Sequence, residues 1–425
     1  MIPRLLPPAL PPGAPPSPGS RPIRDSAAAD SLRYARLPQR LRDVAGLCVG
    51  GGPNLDLGGE IPDIRAGRLG EEKLAALWML RFLPNTAAST MAQLLGLHGE
   101  NLTVGTACTA SLQAIGEAFR KIRDDHITLA LAGGGDSRLS PGALLAYDKA
   151  QALYSGDLDP DRASRPFDSA RQGFVPGEGA AFFLLEEAAQ ALARRAPILG
   201  EILGYGATLD GHTMTAPEPE GRWAEQAVRQ AIAQAGLTPE QIEAVSAHGT
   251  GTALNDTMEA GLLARLYGSR RPPVVAFKSW IGHLAAACGA VELALVLSAW
   301  ASGSLPPIRN LDAPCHPDLN FVRHAAPAPQ GAMVLQNFGF GGQNAALVVR
   351  RAETLDGLFR LEARAGSRSL RAFIYRTRAV GPAGLDIEAE MMFGIVDYGK
   401  DFQEQHLRHH YQELFTCLCN ATAAS

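Results

Sequence analysis

The sequence Asn101–Phe119, NLTVGTACTASLQAIGEAF, passes from a short apolar strand through a run of small residues into a helix predicted over Ser111–Ile122. Small residues on both sides of Cys108 permit a tight turn that exposes its thiol at the helix N-terminus. The helix dipole and free backbone N–H groups there stabilise a thiolate, which predicts a lowered pKa and a nucleophilic role for Cys108. A lone cysteine is more often buried and inert, so the other motifs decide between these interpretations.

The same plan recurs at Val274–Ala301, where a strand and a loop again lead into a helix. This second loop delivers Lys278 and His283 to a helix N-terminus, so we expect two similar halves facing a shared site. Alternating strand and helix signals predict an α/β fold with helices covering the sheet faces. The predicted strands are Val44–Val49, Thr128–Ala132, Ala181–Glu186, Ala244–Ala247, Val274–Lys278 and Ala345–Val349, and further helices are predicted over Trp223–Ala235 and from Pro239, with Thr238 as N-cap.

A second motif, AHGTGT at Ala247–Thr252, follows an apolar strand. Its glycines let a substrate approach the backbone, and Thr250 and Thr252 can hydrogen-bond along an extended polar arm. His248 is expected to point into the pocket. A structural histidine in a glycine-rich turn is the alternative, with even odds for this motif alone.

A third motif, FKSWIGH at Phe277–His283, places a lysine a few residues before a histidine. A buried lysine needs a carboxylate partner, and of the two acidic residues that follow His248, Asp256 and Glu259, we predict Glu259. Such a pair would orient His283 and set its protonation state. The alternative is a surface lysine beside a turn histidine.

The fourth motif, NFGFGGQN at Asn337–Asn344, sets Phe340 between glycines. An aromatic on a glycine hinge can gate a pocket, and a backbone N–H there can stabilise an oxyanion. Alone, the motif also fits a glycine turn between strands.

Composition narrows the class of partner and compartment. The net charge of -4 and pI of about 6.2 argue against nucleic acid as the main partner. Six scattered cysteines indicate free thiols in a reducing, cytoplasmic setting. The apolar run from Leu284 to Gly303 contains Glu292 and predicts a buried core helix rather than a membrane span. The tail carries His406, His409, His410, Cys417 and Cys419, too few ligands for a metal site, so no metal is expected.

Taken together, these motifs resemble the β-ketoacyl-[acyl carrier protein] synthases, the decarboxylating condensing enzymes of the thiolase superfamily. The stretches SRPFD at Ser164–Asp168 and GFVPGEGA at Gly173–Ala180 are similar to a family hallmark, and Asn255-Asp256 followed by Glu259 also matches. The resemblance covers about residues 40–350. It implies a thiolase-like α/β fold of two similar halves with layered helices and mixed sheets.

The resemblance also implies the chemistry of each site residue. Cys108 would take an acyl group from the pantetheine arm of an acyl carrier protein, and His248 and His283 would stabilise the enolate left by decarboxylation of malonyl-carrier protein. The backbone N–H groups of Cys108 and Phe340 would form the oxyanion hole, with Phe340 as gate. Lys278 would support the histidines. Thr250 and Thr252 would line the pantetheine channel, Asp256 and Glu259 would be supporting residues, and no metal or organic cofactor would be required.

The chain is expected to comprise a proline-rich disordered arm (1–29), N-terminal and C-terminal synthase halves (30–200 and 201–351) and an unrecognised tail (352–425) with a possible strand at Leu370–Tyr375. The family's first strand and helix have no counterpart before Leu41–Gly52, so the first sheet is expected to lack a strand. The tail or a partner would fill that gap, or the chain is truncated.

A homodimer is the family norm, with Met91–Leu102 at its interface, and a heterodimer with a catalytically dead partner is the other option. The competing hypothesis is a non-catalytic or truncated subunit that binds carrier protein or a synthase partner.

Overall fold

The computed structural model describes residues 37–53 and 78–352, isolated residues at 27, 28, 31, 32 and 55, and the backbone of residues 360–369, 372–381 and 385–394. The predicted arm lies almost entirely outside the described residues, as do the histidines and cysteines of the tail. The predicted domain boundaries stay predictions.

The described helices and strands alternate through most of the chain. The helices are α1 (Gln39–Arg42), α2 (Thr86–Leu95), α3 (Ala110–Arg123), α4 (Pro141–Lys149), α5 (Pro160–Ala163), α6 (Ala188–Ala193), α7 (Arg222–Gln234), α8 (Ala253–Tyr267), α9 (Lys278–Ile281) and α10 (Cys288–Ser302). The strands are β1 (Gly46–Gly50), β2 (Asn101–Val104), β3 (Leu129–Ser137), β4 (Glu178–Glu186), β5 (Gly200–Leu209), β6 (Ile242–Ser246), β7 (Val274–Val275), β8 (Ser304–Leu305), β9 (Ala326–Pro327), β10 (Ala332–Gly339), β11 (Gln343–Arg351), β12 (Arg360–Ser369), β13 (Ala372–Gly381) and β14 (Leu385–Gly394).

Two mixed sheets form the body of the molecule. The first has the strand order β2-β1-β3-β4, and the second has the order β5-β11-β10-β6-β7. In the first, β1 is parallel to β2 and β3, and β4 is antiparallel to β3. In the second, β6 is parallel to β7 and β10, and β11 is antiparallel to β10 and β5. The two sheets therefore share one plan, as the repeated strand–loop–helix pattern predicted.

Helices α3 and α10 form a layer between the two sheets. Helix α3 lies against β1 and β3 of the first sheet and against β5 and β11 of the second, and α10 packs on α3, β4 and β10. Because both flanks of α3 are covered, it is rich in small residues on the buried side, including Ala110, Ala114 and Ala118, each 0% exposed. Helix α2 covers the first sheet, and α7 and α8 cover the second, which gives the layered α/β fold that was expected.

The packing at the middle of α3 leaves no room for a side chain at Gly116. A Cβ atom there would lie 2.3 Å from the ring of Tyr205 on β5. That ring is buried, and the Arg120 guanidinium lies 4.4 Å from its centre. Gly116 thus sets how closely the central helix approaches the second sheet.

Two local predictions were wrong in detail. The predicted strand Val274–Lys278 is a strand only at Val274–Val275, because the chain turns into α9 at Lys278. The predicted helix from Pro239 is one 3-10 turn, Pro239–Gln241, although Thr238 and Gln241 do form the expected reciprocal cap. Short apolar runs do not distinguish strand from helix without their tertiary neighbours. In the tail, the predicted strand Leu370–Tyr375 overlaps β13.

The apolar run at Ala285–Ser302 is the one described helix long and apolar enough to cross a membrane. The fold buries 72% of it. It contains α10 of the central layer, so the prediction of a core helix is confirmed.

In Gly116→Ala the added methyl group overpacks the Tyr205 ring, at a cost of about 2–3 kcal/mol. Alanine gains roughly 1 kcal/mol over glycine in a helix, so we predict that the free energy of unfolding falls by about 1–2 kcal/mol. Urea unfolding of both proteins measures the difference. The matched control is Gly261→Ala on α8, where the nearest atom to the new Cβ is the flexible Arg265 guanidinium at 3.3 Å. Equal or higher stability of Gly116→Ala would contradict the packing argument.

Candidate active site

The nucleophile candidate lies in a turn between β2 and α3. Cys108 is the middle residue of the 3-10 turn Ala107–Thr109 and is 9% exposed. Ala107 before it has a φ of 50°, a left-handed conformation that costs a non-glycine residue about 1 kcal/mol or more. The turn is held in this shape by its surroundings, since Gly339 of β10 packs so closely that a Cβ atom there would lie 3.1 Å from the Cys108 amide nitrogen.

The prediction of a lowered pKa for the Cys108 thiol was wrong. Burial raises the pKa of Cys108 to about 11, and the Lys278 ammonium and the backbone N–H of Phe340, which donates to the sulfur, only partly oppose it. Loss of water around a nascent thiolate outweighs these stabilising groups. Cys108 therefore rests as a neutral thiol.

Two histidines converge on this sulfur. The Cys108 sulfur and ring nitrogens of His248 and His283 all lie within 4.8 Å of one another. The imidazole rings of His248 and His283 stand at 89° with their centres 5.5 Å apart. The structure thus brings together three residues that are separated by up to 175 positions in the chain.

His283 is held by both halves of the molecule. Its backbone N–H donates to the carbonyl oxygen of Val175 at 2.7 Å, and its own carbonyl accepts from Gly177 at 2.9 Å. Its Nδ1 atom accepts the backbone N–H of Ala285 at 3.0 Å and lies 3.2 Å from the Cys288 sulfur. An Nδ1 that accepts a hydrogen bond leaves the proton of a neutral imidazole on Nε2. Cys288 therefore contacts the site through His283.

His248 has the same tautomer for a different reason. Its Nδ1 atom lies 3.1 Å from the Lys278 ammonium and 3.2 Å from the side-chain amide nitrogen of Asn337, both of which are donors. The proton of neutral His248 therefore also sits on Nε2. Burial, followed by the positive charge of Lys278, lowers the pKa of each histidine well below 6.5. The site consequently holds two neutral imidazoles with Nε2–H donors.

The partner of Lys278 is Glu292 rather than the predicted Glu259. The Lys278 ammonium lies 2.5 Å from a Glu292 carboxylate oxygen, and both side chains are 1% exposed. It also donates to the carbonyl oxygen of His248 at 2.7 Å, while Asn337 donates to the second Glu292 oxygen at 2.7 Å. Burial lowers the pKa of Lys278, but the neighbouring Cys288 and Glu292 more than offset this and raise it. The ammonium group therefore stays protonated.

Glu259 instead holds the turn that carries His248. Its two carboxylate oxygens accept the backbone N–H groups of His248 at 2.7 Å and Gly249 at 2.8 Å, and Gln336 donates to it at 2.7 Å. Burial raises the pKa of Glu259 to about 7. Gly249 has a φ of 42°, and a Cβ atom there would lie 2.9 Å from the Phe167 ring, so the turn requires glycine.

Asp256 ties the same turn to the stretch Ser164–Asp168. Its carboxylate accepts the backbone N–H groups of Phe167 at 2.7 Å and Thr250 at 3.0 Å. The hydroxyls of Thr250 and Thr252 lie 2.9 Å apart, with Thr250 buried and Thr252 half-buried. Both threonine side chains therefore lie close together, immediately after the turn that carries His248.

Aromatic side chains border the site. The Phe340 ring is half-buried and its centre lies 6.5 Å from that of Tyr147. Tyr147 packs edge-on against Phe174 at 5.1 Å, and Phe174 lies 4.7 Å from the His283 ring. Sequence reasoning found Phe340 but not Tyr147. It also missed Glu292 and Asn337 as site residues, although a carboxylate in an apolar helix and an amide in an apolar strand are signals of a buried polar network.

A thiol that faces two neutral imidazoles, between two similar α/β halves, defines the condensing enzymes of the thiolase-like fold. Comparisons with known proteins agree. Residues 26–191 match the family model described as beta-ketoacyl synthase, N-terminal domain, and residues 199–312 match the model of its C-terminal domain.

Named relatives narrow the class further. The chain is 36% identical to the putative mitochondrial 3-oxoacyl-[acyl-carrier-protein] synthase of Schizosaccharomyces pombe, over 77% of this chain and 80% of that protein. It is 35% identical to the putative polyketide beta-ketoacyl synthase 1 of Streptomyces halstedii, with the same coverage. The solved structure described as the ishigamide ketosynthase/chain length factor is 30% identical, covers 78% of this chain and 84% of its own, and superimposes with a TM-score of 0.68. The chain belongs to the β-ketoacyl synthase family.

We predict that alkylation of Cys108 by iodoacetamide accelerates about tenfold per pH unit through the alkaline range, since only the thiolate reacts. The rise should continue towards pH 11, where the thiol pKa lies. In Lys278→Met, loss of the cation that lowers this pKa should raise it, so alkylation at a fixed alkaline pH slows. Peptide mass spectrometry measures the rate of alkylation at each cysteine.

Cys315 in the same samples is the control, because its pKa is shifted by burial and by Arg171 rather than by Lys278. A plateau of Cys108 alkylation near neutral pH would contradict the prediction.

Proposed function

We propose that this chain is a β-ketoacyl-[acyl carrier protein] synthase that elongates an acyl chain by decarboxylative condensation with malonyl-carrier protein. The observation that carries the proposal is the convergence of the Cys108 sulfur with two neutral imidazoles in one buried pocket. Membership of the family supports the same reaction, in fatty acid or polyketide-type synthesis.

The first step transfers the acyl group to Cys108. The sulfur attacks the carrier thioester, the bond from the acyl carbon to the pantetheine sulfur breaks, and the thiol proton of Cys108 passes to the departing pantetheine sulfur. One thiol thus replaces another, so the high pKa of Cys108 does not prevent the exchange. The tetrahedral oxyanion would be held by the backbone N–H groups of Cys108 and Phe340.

The second step generates the carbon nucleophile. The malonyl thioester oxygen would accept hydrogen bonds from Nε2 of His248 and of His283, and the bond to the carboxylate carbon breaks as carbon dioxide leaves. Negative charge builds on the thioester oxygen, and neutral N–H donors in a buried pocket stabilise it without a competing proton transfer. Lys278 is proposed to support His248 by holding its Nδ1 and its carbonyl oxygen.

The third step forms the carbon–carbon bond. The enolate carbon attacks the acyl carbon on Cys108, and the tetrahedral intermediate collapses with cleavage of the bond to sulfur. The Cys108 thiolate then takes up one proton from solvent, so each turnover consumes one malonyl thioester and one proton and releases one carbon dioxide. None of these steps needs a metal or organic cofactor, and we propose none.

The substrates would be presented by an acyl carrier protein, whose pantetheine arm would pass between Thr250, Thr252 and the Phe340 gate. We propose a cytoplasmic dimer, either of two identical chains or with a second ketosynthase-like subunit. The alternative of a non-catalytic subunit is not favoured, because such a subunit has no use for an intact thiol, two donor imidazoles and a buried ammonium group.

We expect the purified protein to accept a radiolabelled acyl group from acyl-carrier protein, with the label on the Cys108 peptide. Cys108→Ala should lose the label because, among the cysteines that the structure describes, Cys108 is the one whose sulfur lies within 4.8 Å of ring nitrogens of both His248 and His283. Cys315→Ala, which changes a half-buried thiol outside the site, should label normally. Label that persists in Cys108→Ala would remove the basis of the proposal.

We expect His283→Ala to accept the acyl group on Cys108 but to decarboxylate malonyl-carrier protein roughly a hundredfold to a thousandfold more slowly, since one oxyanion donor is lost. Release of labelled carbon dioxide measures the rate. His212→Ala, at an exposed position, should match the unmodified protein. Equal loss of both half-reactions in His283→Ala would argue against a specific role in decarboxylation.

The same decarboxylation should show no titration of either histidine from about pH 6 to about pH 8, because both imidazoles are already neutral there. Glu259, whose pKa is about 7, is a neighbouring carboxyl that titrates in this range, so the pH profile is also measured in Glu259→Gln. The direction in which Lys278 shifts the pKa of the histidines provides a second test. Lys278→Met should raise the pKa of both histidines towards 6.5, so the residual activity should fall on the acid side. A midpoint near 6.5 that persists in Glu259→Gln would contradict the neutral-imidazole mechanism.

A further inference from the structure

The two sheets follow one plan but differ by one strand. The pairs β1–β2, β1–β3 and β3–β4 of the first sheet correspond in order and direction to β6–β7, β6–β10 and β10–β11 of the second. In the second sheet, β5 then pairs antiparallel with the far edge of β11. Among the described residues, no strand is hydrogen-bonded to the corresponding far edge of β4. Within the described part of the chain, the first sheet therefore has an open position where its counterpart has β5.

The sequence of β4 is that of an inner strand. Six consecutive apolar residues, Ala180–Leu185, fill its middle, without the lysine or proline that natural edge strands use to prevent pairing. The apolar residues are packed on both faces: Phe183 and Leu185 lie against the central layer, and Phe182 and Leu184 lie against the outer one. An edge strand of this kind is stable only when its free N–H and C=O groups find a partner.

The burial of the two equivalent strands differs accordingly. Residues 344–349 of β11 are all buried, whereas Ala180, Ala181 and Leu184 of β4 are only half-buried. Helix α7 covers β5 and β11 in the second sheet. The first sheet thus exposes apolar surface at the edge where the second sheet has a strand.

The tail supplies a strand beside this edge. Strands β12, β13 and β14 form an antiparallel sheet in that order, so no described strand is hydrogen-bonded to the second edge of β14. Cα atoms of β14 lie within 8 Å of Cα atoms of β4. The sequence of β14, LDIEAEMMFG, alternates apolar residues at 385, 387, 389, 391 and 393 with acidic residues at 386, 388 and 390, the pattern of a half-buried strand.

Strands β13 and β14 of the tail sheet pair antiparallel along their whole length, from Ala372 opposite Gly394 to Gly381 opposite Leu385. We propose that β14 pairs with the free edge of β4, takes the position that β5 has in the other half, and so joins the tail sheet to the first sheet.

Strand β3 connects this edge of the sheet to the active site. That strand pairs with β4, and its penultimate residue is Asp136, whose carboxylate accepts the backbone N–H of Ala286 at 3.1 Å in the turn after His283. The tail would thus stabilise the half of the molecule that carries Cys108, independently of which acyl group the site accepts.

Amide hydrogen exchange on the full-length protein tests the pairing. The N–H groups of β4 that do not bond to β3 should be protected in the unmodified protein. Neighbouring residues of β14 direct their N–H groups to opposite edges, so either Glu388→Pro or Ala389→Pro removes a donor from the free edge. In whichever of the two variants loses the donor on the free edge of β14, the β4 amides that do not bond to β3 should exchange at least about tenfold faster. The amides of β11 should be unchanged, which shows that the protein is still folded.

The control is Ala363→Pro in β12, the tail strand that is separated from β14 by β13; it should leave β4 protected. Outward β4 amides that exchange as an unpaired edge in the unmodified protein would overturn the proposal. Protection that survives both proline variants of β14 would also overturn it, and would assign the edge to another segment of the chain. Protection that grows with protein concentration would assign it to a second copy and would likewise overturn the proposal.

Discussion

The buried ammonium group of Lys278 is the contact on which the geometry of the site depends. It makes three contacts at once: to the Glu292 carboxylate of α10, to the carbonyl oxygen of His248 after β6, and to the Nδ1 atom of that same histidine. Because the pair is fully buried, removing either partner would leave an uncompensated charge, at a cost of about 3–5 kcal/mol. The ion pair therefore constrains the position of His248 more than it adds to stability.

Besides burial, the charge of the Lys278 ammonium group also shifts the pKa values of Cys108, His248 and His283. A fixed positive charge lowers the pKa of both histidines and opposes the rise in the pKa of Cys108 that burial causes. The same charge thus favours neutral imidazoles and a more easily ionised thiol, the combination that acyl transfer and enolate stabilisation require. Glu292 pairs with the ammonium and accepts a hydrogen bond from Asn337, whose side-chain amide nitrogen is the second donor beside Nδ1 of His248.

The sequence alone was sufficient to find the turns but not the contacts between them. Small residues around Cys108 and around His283 mark strand-to-helix turns, because only short side chains allow the backbone to pack so closely. The partner of Lys278 could not be chosen from spacing, since Glu259 and Glu292 are both near in the chain and only the packing of α10 brings one of them to the ammonium group. The pKa of Cys108 was misjudged for a related reason: the helix N-terminus is a local feature, whereas burial by β10 is a tertiary one.

The similarity of the halves explains why the site lies where it does. The turns that carry Cys108 and follow His283 each begin with an alanine in the left-handed conformation, Ala107 at φ 50° and Ala285 at φ 46°, and each leads into a helix of the central layer. These helices touch where Gly289 leaves no space beside Leu112, so the turns at their N-termini are brought face to face. Neither half alone contains both the thiol and the imidazoles. Since hydrogen-bond geometry tolerates only a few tenths of an ångström, the tight contact between the central helices is what makes one reaction centre from two similar halves.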